Sequence, residues 1–196
     1  MIALENVLMV LVSTALVWGA IRDWRTRTIP LWVGLGMLAV GLAVLLLPGR
    51  WLAAAFYLSA IWGSRGGRWR LLIVLMAILL IGEGGISAVP LALGILYTLS
   101  IFWLGWFGGG DAQVAFGLIA LGSDWWILAY LFGGTILVGL ALMVAKMGVI
   151  SAGRRAWHVL RHMDSPDEEA LQLSWGILTA AAGLVYIWIW PGYFLL

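Results

Sequence analysis

Residues 4–30 read LENVLMVLVSTALVWGAIRDWRTRTIP. The run Leu4–Ile21 carries one charge, Glu5, and three arginines then follow, Arg22, Arg25 and Arg27. A helix crossing a hydrocarbon layer about 30 Å thick needs about 20 mostly apolar residues at about 1.5 Å rise each. The positive charges come after the apolar run. A cleaved signal peptide carries them before it. Lys and Arg favour the cytoplasmic side of a membrane, so this order predicts a first span with its N-terminus outside.

The rest of the chain extends that reading. Of 196 residues, 64% are hydrophobic and 10% charged, whereas a soluble domain has roughly 45–50% and about 25%. Too few charges exist to cover a water-facing surface, which excludes a soluble enzyme, and the same hydrophobicity excludes disorder. The absence of cysteine excludes a disulfide framework and any Cys-ligated metal. A net charge of +2 spread over loops is no nucleic-acid footprint.

Further apolar runs are Leu31–Leu47, Trp51–Gly63, Leu71–Gly82, Ile86–Phe107, Ala112–Gly122, Trp125–Met147 and Leu171–Trp190. The expectation is an all-α, polytopic membrane bundle of about eight transmembrane helices, in one domain over residues 1–196. Trp51–Gly63, Leu71–Gly82 and Ala112–Gly122 are short for full spans. Six helices is the fallback if some of them form a re-entrant pair. With the N-terminus outside, the inward connections hold every Lys and Arg except Arg50, Lys146 lying at an edge. That predicts a multi-pass protein of the cytoplasmic membrane. Most of the 14 Trp fall near proposed helix ends, as an interfacial belt requires. Glycines such as Gly34 and Gly36, or Gly133 and Gly134, read as close packing between helices. Ser165–Glu169 reads as an exposed loop with an N-cap into the last helix.

Nine carboxylates remain to be placed. Glu5, Glu83 and Asp124 fall on the outer side. Asp164, Asp167, Glu168 and Glu169 belong to the last inward connection, where they either steer a basic partner or simply solvate a loop. Asp23 and Asp111 each stand at an inward helix end. Four proposed helices separate them, an even number, so both face the same side. Two neighbouring carboxyls can share a proton, one ionised to activate water and one protonated to polarise a carbonyl. That is the chemistry of an aspartic protease, with no metal and no cofactor. Gly108, Gly109 and Gly110 precede Asp111 and leave room for a substrate backbone to approach.

These two segments resemble the type IV prepilin peptidase family. Asp23–Pro30 is similar to its first catalytic segment, an Asp followed by basic residues and an Ile-Pro, here Ile29 and Pro30. Gly108, Gly110 and Asp111 match its Gly-x-Gly-Asp. The family usually has Asn after Ile-Pro, where this chain has Leu31, and Lys two residues after the second Asp, where it has Gln113. The resemblance implies Asp23 and Asp111 as the catalytic pair, supported by Ile29, Pro30, Gly108, Gly110 and Gln113. It implies an endopeptidase that cuts short basic leaders from prepilin-like precursors (type IV pilin, pseudopilin or archaellin-like) at the cytoplasmic membrane face. Without the paired cysteines of bifunctional relatives, it implies the compact form, with no N-methyltransferase activity. The partners expected are the precursor and the lipid bilayer; the oligomeric state is not readable.

Other chemistries fit less well. Serine proteolysis lacks a Gly-x-Ser-Gly. His158 and His162 have the i, i+4 spacing of a zinc site but no Glu between them. The presenilin-like proteases share Gly-x-Gly-Asp, but their other Asp lies within a helix after a Tyr. The non-enzymatic alternative is a membrane transporter or a secretion-system assembly protein, and a transporter would want ionisable groups near the membrane midplane.

Overall fold

The computed structural model describes residues 2–26, 28–63, 69–103, 108–162 and 175–189. Among the described residues the regular structure is helical throughout: α1 Ile2–Thr26, α2 Leu31–Leu46, α3 Trp51–Gly63, α4 Arg70–Gly84, α5 Val89–Trp103, α6 Gly109–Gly122, α7 Trp125–Leu128, α8 Thr135–Met147, α9 Val149–His162 and α10 Trp175–Ile189. A 3₁₀ turn, Gly85–Ala88, joins α4 to α5, and a π segment, Ala129–Gly134, joins α7 to α8. The acidic cluster Asp164–Glu169 with its expected N-cap, and also Arg27, Arg65, Arg68 and Trp106, lie outside the described residues.

Two helical stretches, Val7–Thr26 and Arg70–Trp103, are long and apolar enough to cross a membrane. The second is bent. Gly85 has φ +60°, a left-handed conformation that glycine adopts without penalty. The two ends of the stretch then meet, with the Arg70 guanidinium 4.5 Å from the centre of the Trp103 ring. Thus α4 and α5 form a hairpin.

The central element is α6. Ala112 and every residue from Val114 to Gly122 are buried, and a helix apolar on all sides belongs inside a bundle. Small residues let its neighbours come close. A Cβ on Gly117 would lie 2.6 Å from the Met37 carbonyl oxygen, and one on Gly41 would lie 3.0 Å from Ala120 Cβ. Gly94 of α5 and Gly183 of α10 are filled in the same way, by Ile119 and Leu118. Of the glycines expected to pack, Gly34 does so against Gln113, while Gly36 and Gly133 have nothing nearby.

The outward surface is apolar. On α4 alone Leu71, Leu72, Val74, Leu75, Ile78 and Leu79 are exposed. Exposed tryptophans gather at both ends of the helices: Trp51, Trp125 and Trp126 at one, and Trp24, Trp32, Trp62 and Trp69 at the other.

Two boundaries differ from the sequence expectation. The first helix does not stop at Ile21 but continues through Arg25 to Thr26, because Arg and Trp are compatible with a helix. The stretch after Met147 is not all loop. Gly148, with φ +80°, ends α8, and α9 begins at once.

Candidate functional site

One face of α1 carries the buried positions Met9, Val12, Leu16, Gly19 and Asp23. Their spacing of three and four residues is the core stripe of a helix. Asp23 is therefore a carboxylate on the core-facing stripe, and it is only 6% exposed. Arg22, Trp24 and Arg25 around it point outward. The chain then turns, with the Thr26 and Thr28 hydroxyls 3.0 Å apart. Pro30 caps α2 in an extended conformation (φ −57°, ψ 136°). Its carbonyl accepts from the Val33 amide at 3.0 Å.

Asp111 stands in the first turn of α6, ahead of the apolar run that begins at Ala112. Its Oδ2 accepts a hydrogen bond from the Gly108 amide at 3.1 Å. This is half of a capping box and holds the carboxyl against the helix start. Its Oδ1 is buried and has no hydrogen-bond partner among the described residues. A buried acceptor left unpaired costs about 1–3 kcal/mol, more if charged. Burial, and then the negative charge of Asp23, push the Asp111 carboxyl up to about 6, against the lowering effect of the Gly108 amide. The charge of Asp23 therefore reaches Asp111, each carboxyl being delivered by a different helix end.

The residues that accompany them in sequence also meet in space. A Cβ on Gly110 would fall 2.8 Å from Ile29 Cβ, so the Ile-Pro segment lies directly on the glycine turn. A Cβ on Gly108 would crowd Asp111 Oδ2 at 3.2 Å. Gln113, one turn into α6, packs its side chain into the space left by Gly34 on α2. Thus Ile29 and Pro30 come together with Gly110, Asp111 and Gln113 through the close pairing of α2 and α6. Among the described residues nothing lies within 4 Å of a Cβ placed on Gly109.

Other ionisable groups are placed elsewhere. Asp124 caps α7, its Oδ1 accepting from the Ile127 amide at 2.8 Å, and its Oδ2 accepts from the Tyr186 hydroxyl at 3.1 Å. Glu83, Asp124 and Arg50 line a cavity of about 590 Å³ with Ser87 and Ser123. That cavity gathers the α2–α3, α4–α5 and α6–α7 connections. The aspartate pair lies at the other end of α6. Among the described residues no three His, Asp or Glu side chains converge as metal ligands. The sequence reading singled out the aspartates and the glycines before Asp111, but not Gly117 or Met37. The only signal is the small residue Gly117 in an apolar run, which many helices show.

No family model, curated protein or solved structure matches the chain.

Proposed function

We propose that this chain is a polytopic membrane protein of about eight spans and an aspartic endopeptidase. Its substrate class is the short basic leader of prepilin-like precursors, cut at the cytoplasmic membrane face. The observation that carries the reading is that two carboxyls are buried, Asp23 on the core stripe of α1 and Asp111 at the start of α6 with its Oδ1 enclosed; burial and the charge of Asp23 push the Asp111 carboxyl up. Embedding in a bilayer is supported by the apolar outward face of α4 and by tryptophans at both helix ends, where amphipathic rings favour the lipid–water boundary.

Chemically, the pair suffices for amide hydrolysis. The ionised carboxylate takes a proton from a water molecule as that water's oxygen bonds to the scissile carbonyl carbon. The protonated carboxyl hydrogen-bonds to the carbonyl oxygen, where charge develops, and passes its proton to it. The resulting tetrahedral diol breaks its C–N bond as the carboxyl that took the water's proton gives it to the departing nitrogen, and the other carboxylate takes a proton back from a diol hydroxyl as the new carbonyl forms. Asp111 Oδ1, buried and unpaired, is the atom from which the carbonyl or the water would be held. Burial and the charge of Asp23 raise the Asp111 carboxyl; the two carboxyls titrate as a pair, and the shared proton is assigned to neither.

The test is co-expression with a model prepilin and a mobility assay, on wild type, Asp23→Asn and Asp111→Asn. Each single variant should insert normally and cleave nothing. Near-normal cleavage by either variant ends the two-aspartate reading. Cleavage of an uncharged leader as readily as a basic one would remove the proposed substrate class.

A further inference from the structure

Helix α9 differs from every other helix among the described residues. At about 100° per residue, positions 154, 155, 158, 161 and 162 fall on one side, and all are Arg or His. Positions 149, 150, 152, 156, 157, 159 and 160 fall on the other, and all are Val, Ile, Ala, Trp or Leu. No carboxylate occurs between Asp124 and Asp164, while Lys146, Arg154, Arg155 and Arg161 do. Only part of the apolar side is used inside the fold. Ala152 is fully buried, whereas Val149, Ile150 and Trp157 are 72%, 73% and 67% exposed.

Position in the bundle narrows what covers those three side chains. From Asp124, at the cavity end, α7, the π segment and α8 run to Met147 without a break. Gly148 turns the chain there, so α9 starts at the end of the bundle that holds Asp23 and Asp111. An exposed apolar arc beside a basic one, with a tryptophan, is the composition of a helix that lies in the plane of a membrane surface. A basic leader would be repelled by the arginine side. Anionic lipid headgroups complement it, and acyl chains complement Val149, Ile150 and Trp157.

We propose that α9 is an interfacial helix that binds the headgroups of anionic lipids and seats Val149, Ile150 and Trp157 in the bilayer beside the aspartate end. This rests on the chain being membrane-embedded, and it is independent of the peptidase reading.

The chain has no cysteine, so one introduced cysteine is a unique attachment point for a nitroxide label. Ile150→Cys and Trp157→Cys report the apolar arc. Ser151→Cys reports the basic side, and Ile78→Cys on exposed α4 reports embedding of the bundle. Each full-length variant is reconstituted into vesicles of phosphatidylcholine, with or without phosphatidylglycerol. Collisions with oxygen, concentrated in lipid, are compared with those of a water-soluble nickel chelate.

With phosphatidylglycerol, labels at 150 and 157 should favour oxygen several-fold over the label at 151. That preference should shrink in phosphatidylcholine alone. It should shrink equally in the triple variant Arg154→Gln, Arg155→Gln, Arg161→Gln. Labels at 150 and 157 as water-accessible as 151 in anionic vesicles would overturn the proposal, even with 78 in lipid. Preferences indifferent to phosphatidylglycerol would overturn the anionic-headgroup role. Dipolar coupling between labels of two copies, with neither reagent reaching 150 or 157, would show a second chain on this face and also overturn it. A label at 78 that meets the nickel chelate freely would remove the embedding of the bundle, and the proposal with it.

Discussion

Gly117 of α6 lies against the backbone of Met37 in α2, so close that a Cβ at 117 would stand 2.6 Å from the Met37 carbonyl oxygen and 2.8 Å from its carbonyl carbon. Backbone cannot swing aside as a side-chain tip can. Gly117→Ala should therefore push α2 from α6 and cost about 1–3 kcal/mol, the usual range for overpacking. Gly36→Ala, with nothing within 4 Å, should be neutral or slightly stabilising. Thermal unfolding of the detergent-solubilised protein compares the two, and equal midpoints would contradict the close pairing.

The same helix pair carries the Ile-Pro segment to the glycine turn. Gly110→Ala would meet Ile29 Cβ at 2.8 Å, while Gly109→Ala would meet nothing. Both gain the same intrinsic helix propensity, so they differ mainly in what they touch. Gly110→Ala should lower cleavage of a model prepilin by about 100-fold, as a displacement of about 1 Å in a catalytic group can. Gly109→Ala should stay within a few-fold of wild type. Equal activity in the two variants would show that contact with Ile29 does not position the site.

Asp111 makes the fold depend on pH in a definite direction. Its carboxyl is raised from 3.8 to about 6 by burial and by Asp23. Between those values the folded chain keeps a proton that the unfolded chain has released, so stability falls as pH rises through the window. Above about 6 the ionised group burdens the fold by a constant amount. Asp111→Asn retains an acceptor for the Gly108 amide and carries no charge. It should be more stable than wild type at neutral pH, with the gain fading as pH falls below 6 toward 3.8. Unfolding midpoints measured across that range decide the matter, and a pH-independent difference would contradict the raised carboxyl.

How much of this was legible in the sequence follows from what each signal depends on. Apolar run length depends on composition alone, and it located α2 and α3 closely. The four apolar runs between Asp23 and Asp111 were readable in the same way, and four helices, α2 to α5, lie between α1 and α6. The burial of Asp23 escaped because the apolar run ends at Ile21; only the continuation of α1 to Thr26 puts Asp23 on the stripe of Leu16 and Gly19. Helix α9 escaped because arginines and histidines interrupt every apolar run within it; only periodicity separates such a helix from a loop. The turn between α4 and α5 was legible, since Glu83–Gly85 interrupts two apolar runs, and Gly85 makes it with a positive φ. The fit of Gln113 over Gly34 depends on the angle between two helices, which no local pattern records.

Asp124 should separate stability from chemistry. Its carboxylate caps α7 through the Ile127 amide and accepts from Tyr186, fastening α7 to α10. Asp124→Ala removes both and should destabilise by about 1 kcal/mol or more, the usual cost of a lost N-cap. Asp124→Asn keeps the cap and should cost less, and Tyr186→Phe loses only the inter-helix bond. If the two side chains act through each other, the double variant Asp124→Asn, Tyr186→Phe will cost less than the sum of the singles. Cleavage should survive in all of them at temperatures where they remain folded, because Asp124 lies at the opposite end of α6 from Asp111. An Asp124→Asn protein that is folded yet inactive would move the chemistry to the cavity shared with Glu83 and Arg50.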